Sequence, residues 1–342
     1  MKAVIFRQHG GPEVLEYADA PEPRVRADGV LVEVRACALN HLDVWARKGL
    51  PGIEIPLPHI LGNDVAGVVR EVGEIVDWVR PGDEVMLQPG VSCGHCAECL
   101  RGRDNLCPAY DIIGYRRDGG YAELVAAPAV NCIPKPKELS WEEAAALPLA
   151  TVTAWHMLVT RASVQPGEDV LVHAAGSGVG SIGIQIAKLR GARVIATAGS
   201  DEKLAKAKEL GADEVVNYTN ADWPREVRRL TAKRGVDVVF EHTGAETWPG
   251  SLVALAKNGR LVTCGATSGY DARTDIRQVF YRHLSLLGSF MGSKAELLDA
   301  MRFVERGQIR GVVDRMLPLA EARRAHELMQ DRAQFGKLVL VP

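Results

Sequence analysis

Val170-Leu171-Val172-His173-Ala174-Ala175-Gly176-Ser177-Gly178-Val179-Gly180-Ser181-Ile182-Gly183 is the stretch on which the reading of the fold turns. Its β-branched start predicts a buried strand, and the apolar spacing from Ile182 to Leu189 predicts a helix after the glycines. A strand, a glycine-rich turn and a helix in that order bring backbone amides to a helix N-terminus. A pyrophosphate there gains hydrogen bonds and the favourable end of the helix dipole. Gly176, Gly178 and Gly183 fit the pattern G-x-G-x(4)-G, and Gly178 and Gly180 stand where backbone must approach a ligand closely. Glycines also serve simply to let a helix lie on a sheet, but the strand-turn-helix context favours a dinucleotide site. Ala175, Gly176, Ser177, Gly178, Val179 and Gly180, with Gly265 further along, are the expected contacts.

From Asp169 onward this strand and helix grammar repeats, through Arg193-Val194-Ile195-Ala196, Val236-Asp237-Val238-Val239-Phe240 and Gly259-Arg260-Leu261-Val262-Thr263. Repeated βαβ units with wholly apolar strands predict an α/β fold with a parallel, doubly wound sheet. The front third reads differently. Short β-branched runs such as Gly29 to Arg35 and Val65 to Val72 are separated by glycine and by Pro51, Pro56, Pro58, Pro81, Pro89 and Pro128, which deny the region long helices. The change falls near Ile133-Pro134-Lys135-Pro136, where Ser140-Trp141-Glu142-Glu143 predicts a capped helix start. The tail predicts a helix from Lys294 to Gly307 and a final strand from Gly336 to Val341.

The 342 residues make two domains the natural expectation. With 47% hydrophobic and 25% charged residues the chain is an ordinary globular one. Its 41 basic and 43 acidic side chains leave no positive excess for a phosphate backbone, so nucleic acid is excluded as a first partner and a small molecule is expected. Aromatics are sparse at 6% and glycine frequent at 34 residues, which suits many strand-to-helix turns. No apolar run reaches the length of a membrane span and Ala3-Val4-Ile5-Phe6 is too short for a signal peptide, so the expected location is the cytoplasm.

The end of the strand after the glycine turn, Ala196-Thr197-Ala198-Gly199, carries no carboxylate to hold a ribose 2′-hydroxyl. Ser200 and Lys203 follow with a hydroxyl and a cation suited to a 2′-phosphate, which favours NADP(H) over NAD(H). Against this, Ser200 also suits a helix N-cap, Lys203 a solvated helix position, and Asp201 stays available to a ribose.

Cys93-x(2)-Cys96-x(2)-Cys99-x(7)-Cys107 is the most specific signal in the chain. Four thiolates describe a closed structural zinc site with no position left for chemistry, one zinc per chain. An iron–sulfur cluster is the rival, since the first three spacings are ferredoxin-like and Pro108 follows the last cysteine. The long final gap speaks against it. The segment carries few apolar side chains, so a metal is needed to hold it. Cys37, Cys132 and Cys264 stand apart and read as small apolar fillers.

A β-rich front, this cysteine lobe and a late glycine-rich βαβ domain together resemble the medium-chain dehydrogenase/reductase superfamily, home of zinc alcohol dehydrogenases and quinone oxidoreductases. The resemblance spans the chain and shows at Pro58-His59-Ile60-Leu61-Gly62, Pro81-Gly82-Asp83-Glu84-Val85, Gly119-Gly120-Tyr121-Ala122-Glu123 and Gly336-Lys337-Leu338-Val339-Leu340. It implies a GroES-like catalytic domain of residues 1–150 and 291–342 with a zinc lobe at 92–108, a Rossmann domain inserted at 151–290, an active site in the cleft, and a homodimer or homotetramer. Where zinc alcohol dehydrogenases hold the catalytic metal with Cys, His and Cys, this chain has Asn40, Asn63 and Leu149, and Leu42 replaces the relay hydroxyl. Amides are poor zinc ligands and leucine is none, so the resemblance implies a lost catalytic zinc. Asn40-His41-Leu42-Asp43 is instead similar to the Asn-x-x-Asp or Asn-x-x-Glu pattern of zinc-independent quinone oxidoreductases. Their phosphate-contacting Lys and Tyr, fifteen residues apart, match Lys203 and Tyr218.

The resulting expectation is an oxidoreductase that passes hydride to a quinone or an α,β-unsaturated carbonyl without a catalytic metal. Asn40 and Asn63 are the expected donors to the developing oxyanion, with Asp64 beside them, and His41 is expected to position pyrophosphate or supply a proton. Each has a plainer role available: Asn40 as a helix cap, Asp43 as the holder of Asn63 or of a backbone amide, and His41 as a half-buried polar residue. Trp45, Tyr115, Trp155 and Phe290 suit either a substrate pocket or the core. Two other readings compete: an alcohol dehydrogenase whose metal sits on Asp64 with Asn63 or His59, and a silent dinucleotide-binding sensor.

Overall fold

The strand Gly29–Ala38 shows why the front of the chain becomes sheet. Along its ten residues only Glu33 and Arg35 escape full burial, so its branched side chains are covered on both faces. It pairs antiparallel with Asp64–Val72, Leu124–Pro128 and Lys337–Val341, within a seven-stranded sheet. The register sets Ala38 opposite both Asp64 and Val339. Asn40, Asp64 and Lys337 therefore lie near one end of three neighbouring strands, although sequence separates them widely. Phe6, Val32, Leu61, Val65, Tyr121 and Leu340 belong to the core that this sheet covers. As expected, Ser140 opens the helix Trp141–Ala145 with a capping box: its hydroxyl accepts the Glu143 N–H at 3.2 Å, and the Glu143 carboxylate accepts the Ser140 N–H at 2.9 Å.

The second half forms a six-stranded parallel sheet. From edge to edge its strands are Glu214–Asn217, Arg193–Ala198, Asp169–Val172, Val236–Glu241, Leu255–Thr263 and Ser285–Gly288. Chain order reverses on either side of Asp169–Val172, the doubly wound arrangement whose ligand crevice lies at the carboxyl ends of the strands at that reversal. Leu171, Ile195, Val239, Leu252 and Leu261 join in its core, which explains the absence of alternation in these strands.

The computed structural model describes residues 1–342, and the chain divides into two units. One comprises Met1–Leu149, Ser293–Leu297 and Arg310–Pro342; the other comprises Ala150–Gly292 and Leu298–Ile309. The expected return is at 291; by this division the first unit resumes at Ser293, and the helix Lys294–Glu305 is split between the units. Its first residue is held in the first unit by Asp104, which accepts the Lys294 N–H at 2.9 Å, while Phe303 packs in the second unit on Trp155 with ring centroids 5.6 Å apart. No helix is long and apolar enough to cross a membrane.

Candidate active site

Asn40 stands at the N-cap position of the helix His41–Lys48, and its side-chain amide reaches two other strands. Its Nδ2 donates to Asp64 Oδ2 at 2.9 Å and its Oδ1 accepts from Lys337 Nζ at 2.6 Å. Lys337 also reaches Asp64 Oδ2 at 2.9 Å, and the Leu149 N–H donates to Asp64 Oδ1 at 2.7 Å. Asn40, Asp64 and Lys337 are all buried, so an ammonium and a carboxylate are paired away from water and share an amide. Such a pair persists only with good geometry and with its remaining polar atoms bonded, as here.

Neighbouring Asn63 has no exposed surface. Its Nδ2 donates to the Ile113 carbonyl at 2.7 Å, and its Oδ1 has no hydrogen-bond partner. Asn40 and Asn63 each retain one amide hydrogen beyond the bonds described.

The two motifs are tied together by Asp43, whose carboxylate accepts the N–H of Asn40 at 2.7 Å, the N–H of Gly62 at 3.1 Å and the Tyr121 hydroxyl at 3.2 Å. Asp43 thus holds backbone amides, one of the two structural roles expected of it. Burial pushes its carboxyl up to about 7 against the pull of these donors. Gly62 must be glycine: its φ is +105°, and a Cβ would lie 2.6 Å from the Tyr121 ring and 2.8 Å from Cys37 Sγ. Behind Tyr121, His326 Nε2 lies 3.3 Å from the phenol oxygen and His326 Nδ1 lies 3.2 Å from Arg47 NH1. Since Arg47 can only donate, Nδ1 accepts and Nε2 carries the proton. The bonds therefore all run one way, from Arg47 through His326 and Tyr121 to Asp43. Burial holds the His326 imidazole neutral and lowers it to about 3.

These contacts bear on the competing reading with a metal at Asp64. Both oxygens of Asp64 are engaged and a buried ammonium stands against it, so a dication there would have to displace these donors and meet like charge. His59 is not its partner either: it lies 3.5 Å from Asp118 and edge-on to Phe6 at 5.6 Å. His41 is half-buried with its ring 6.2 Å from that of Trp45. Of the proposed pocket aromatics, Trp155 is core, Tyr115 packs against the core of its unit, and Phe290 is exposed.

The cysteine lobe fits its expected metal. The Sγ atoms of Cys93, Cys96, Cys99 and Cys107 all lie within 4.8 Å of one another. The distances are 3.5 Å for Cys96 to Cys99, 3.6 Å for Cys107 to Cys93 and 3.9 Å for Cys93 to Cys99. A tetrahedron with Zn–S of about 2.3 Å has edges of about 3.8 Å, so the thiolates leave room for a single ion and none for a multi-iron cluster. The Cys96 N–H also points at Cys93 Sγ, at 3.4 Å.

In the second unit the glycine-rich turn opens the helix Gly178–Leu189, with Ser177 as its cap at 2.8 Å from the Gly180 N–H. The first-turn amides of Gly178 and Val179 lack intrahelical acceptors, the arrangement that suits a phosphate. Just before Gly176, the Ala175 N–H donates to the Thr197 carbonyl at 2.9 Å and so ties the turn to the next strand. At that strand's end Ser200 is the N-cap, its hydroxyl 3.3 Å from the Lys203 N–H, and Asp201 accepts from Asn217 Nδ2 at 2.8 Å. The Tyr218 hydroxyl lies over Gly199, 2.7 Å from where a Cβ would be. Gly265 lies beside the His242 carbonyl, with only 2.9 Å for a Cβ.

Lys337, Tyr121, His326 and Arg47 join the candidate site through hydrogen bonds, and sequence reasoning assigns none of them a role there. Lys337 does carry a signal, as a lysine opening the otherwise apolar strand Lys337–Val341. His326 and Arg47 carry none, because their helices place them opposite Tyr121 only through tertiary packing.

Known proteins resemble the chain along its whole length. Residues 26–137 match the alcohol dehydrogenase GroES-like domain, and residues 178–306 match the zinc-binding dehydrogenase family. The chain is 33% identical to an NAD-dependent alcohol dehydrogenase of Sulfurisphaera tokodaii, covering 100% of both chains. It is 29% identical to a quinone oxidoreductase of Rattus norvegicus, covering 100% of this chain and 98% of the other. A solved structure of an NAD-dependent alcohol dehydrogenase superposes with a TM-score of 0.97 at 56% identity over 100% of both chains. With both halves of the architecture and full-length relatives in agreement, the chain belongs to the medium-chain dehydrogenase/reductase superfamily and is an NAD(P)-dependent oxidoreductase.

Proposed function

We propose that this oxidoreductase reduces an activated carbonyl compound, a quinone or an α,β-unsaturated carbonyl, without a metal at Asn40 and Asn63. The observation that carries this reading is the saturation of Asp64 by the Leu149 N–H, Asn40 and Lys337, with the ammonium also bonded to the Asn40 amide. When bound, the nicotinamide supplies the hydride. The remaining amide hydrogens of Asn40 and Asn63 are suited to stabilise an oxyanion, and Lys337 adds positive charge to that corner. An acceptor already polarised by conjugation needs no stronger Lewis acid. Ser200, Lys203 and Tyr218, with no carboxylate ending Arg193–Ala198, support NADP(H) over NAD(H).

The competing reading, alcohol oxidation with NAD, is favoured by the names of two relatives described above and by the unpartnered Asn63 Oδ1. Zinc per chain and turnover separate the two. One zinc, with NADPH-dependent reduction of quinones or enones, is the expected result. Two zincs, with alcohol oxidation by NAD, would overturn it.

The protein also acts as a homodimer or homotetramer in this reading, in the cytoplasm. Ser285–Gly288 ends the parallel sheet, and Ile276, Phe280 and Tyr281 on the preceding helix are each more than half exposed. An open sheet edge beside apolar side chains suits a second copy bringing the same surface. Light scattering that reports a monomer at micromolar concentration would remove this part.

A further inference from the structure

Glu241 ends the strand Val236–Glu241, beside the strand that leads into the glycine turn, and none of it reaches solvent. Its Oε1 accepts the N–H of Thr243 at 2.7 Å and of Gly244 at 3.2 Å. The Thr247 hydroxyl lies 2.9 Å from both carboxylate oxygens, and Ser251 Oγ donates to Oε2 at 2.8 Å. Having given its only hydrogen to Glu241, Ser251 must accept from His173 Nε2, 3.0 Å away. His173 Nδ1 then accepts from the Thr197 hydroxyl at 3.1 Å. One chain of bonds thus links the ends of three strands to a single carboxylate. His242 closes it from the other side, its Nε2 donating to the His173 carbonyl at 2.9 Å.

The loop that Glu241 organises carries the next one. Ser268 donates to the Thr243 carbonyl at 2.7 Å through its N–H and at 2.8 Å through its hydroxyl, and Thr267 donates to the His242 carbonyl at 3.2 Å. Gly265 lies against that same carbonyl. A buried carboxylate is costly to retain where apolar packing would serve stability as well. Here it connects three of the segments expected to meet the dinucleotide: the turn after His173, the strand end after Thr197, and the loop containing Gly265.

We propose that Glu241 is a positioning residue for the dinucleotide, setting the loop after its own strand and the entry to the glycine-rich turn as one rigid seat. The inference rests on the reading of that turn as the cofactor's seat. Glu241→Gln keeps the shape but replaces one acceptor oxygen by a donor, which opposes Ser251 and Thr247 or the amides of Thr243 and Gly244. Binding of NADPH and of NADH, followed by dinucleotide fluorescence without substrate, is expected to weaken about tenfold, or about 1.4 kcal/mol, in this variant. Amide exchange at Thr243 and Gly244 is expected to quicken in the free protein. Dissociation constants equal to those of the wild type, even with a lowered melting temperature, would overturn the inference and leave Glu241 a stabilising residue only. If the wild type itself bound neither dinucleotide, the reading of the turn would fail instead. Thr247→Val, which removes one donor and leaves the carboxylate, carries the same test if Glu241→Gln does not fold: about threefold weaker binding supports the proposal and unchanged binding overturns it.

Discussion

Two corners of the first unit solve the same problem with opposite chemistry. In the cysteine lobe, four thiol groups converge on one point with little apolar surface around them, and the cluster is complete only with a cation that the chain does not encode. At Asn40, Asp64 and Lys337 the cation is encoded: the ammonium, the carboxylate and the amide close on one another within 2.6 to 2.9 Å. The first corner has four like ligands around one point, whereas the second has charges of both signs and no centre. The difference teaches that what a buried carboxylate can hold depends on whether the chain itself supplies the cation that satisfies it.

The comparison predicts its largest effect in the lobe. Structural zinc in small metal-dependent domains contributes about 10–16 kcal/mol of apparent binding free energy. Cys107→Ser should therefore lower zinc from one per chain toward none and expose residues 92–108 to protease, while the second unit stays resistant. Retention of a full zinc equivalent with an intact lobe would break the contrast at its metal-dependent end. The next effect belongs to Lys337. Breaking a buried pair by removing one partner costs about 3–5 kcal/mol, because the other charge is left uncompensated. Lys337→Met should lose stability on that scale by denaturant unfolding, and adding Asp64→Asn should restore much of it. A single variant as stable as the wild type would mean that the ammonium does not replace a metal's charge in this corner.

Legibility in the sequence depends on whether a signal is local. The glycine turn, the cysteine spacing and the Ser140 capping box are read directly because each is a short segment whose residues act on one another. The alternation of strands and helices after Asp169 is equally readable, since parallel strands buried on both faces have to be apolar throughout. Asn40, Asn63 and Asp64 can be found as positions but not as a network. Their meaning depends on Lys337, which the sheet register brings opposite Asn40 across 297 residues of chain. Glu241 escapes a linear reading for a similar reason: a single glutamate at a strand end reads as the point where the chain meets solvent, and only the returning loop and the helix Trp248–Ala254 bury it. The shared helix Lys294–Glu305 reads as part of the tail because nothing in its sequence marks where its packing partner changes.

The effect smallest per step of the variable changed, and the most discriminating, concerns pH. Asp43 and His326 flank Tyr121 in the same hydrogen-bonded chain. Burial moves both toward neutrality, Asp43 up to about 7 and His326 down to about 3. The folded protein thus binds one more proton than the unfolded chain at Asp43 between about pH 4 and 7, so this group's contribution falls as pH rises. At His326 the unfolded chain binds the extra proton between about pH 3 and 6.5, so that contribution rises with pH and is lost on acidification. Each slope is at most about 1.4 kcal/mol per pH unit, and in the wild type they oppose one another over their shared window. His326→Gln keeps an acceptor for Arg47 and a donor for Tyr121 but does not titrate. Its stability relative to the wild type should therefore fall steadily from about pH 4 to about 6.5. Asp43→Asn should show the opposite trend over the same range, rising relative to the wild type. Taking differences cancels the titration of the cysteine lobe and of every other shared group. If both variants followed the wild type in parallel, the two groups would not be changing charge where the geometry puts them. If only the Asp43 variant deviated, the imidazole would be reaching water and the one-way chain from Arg47 would be broken at His326.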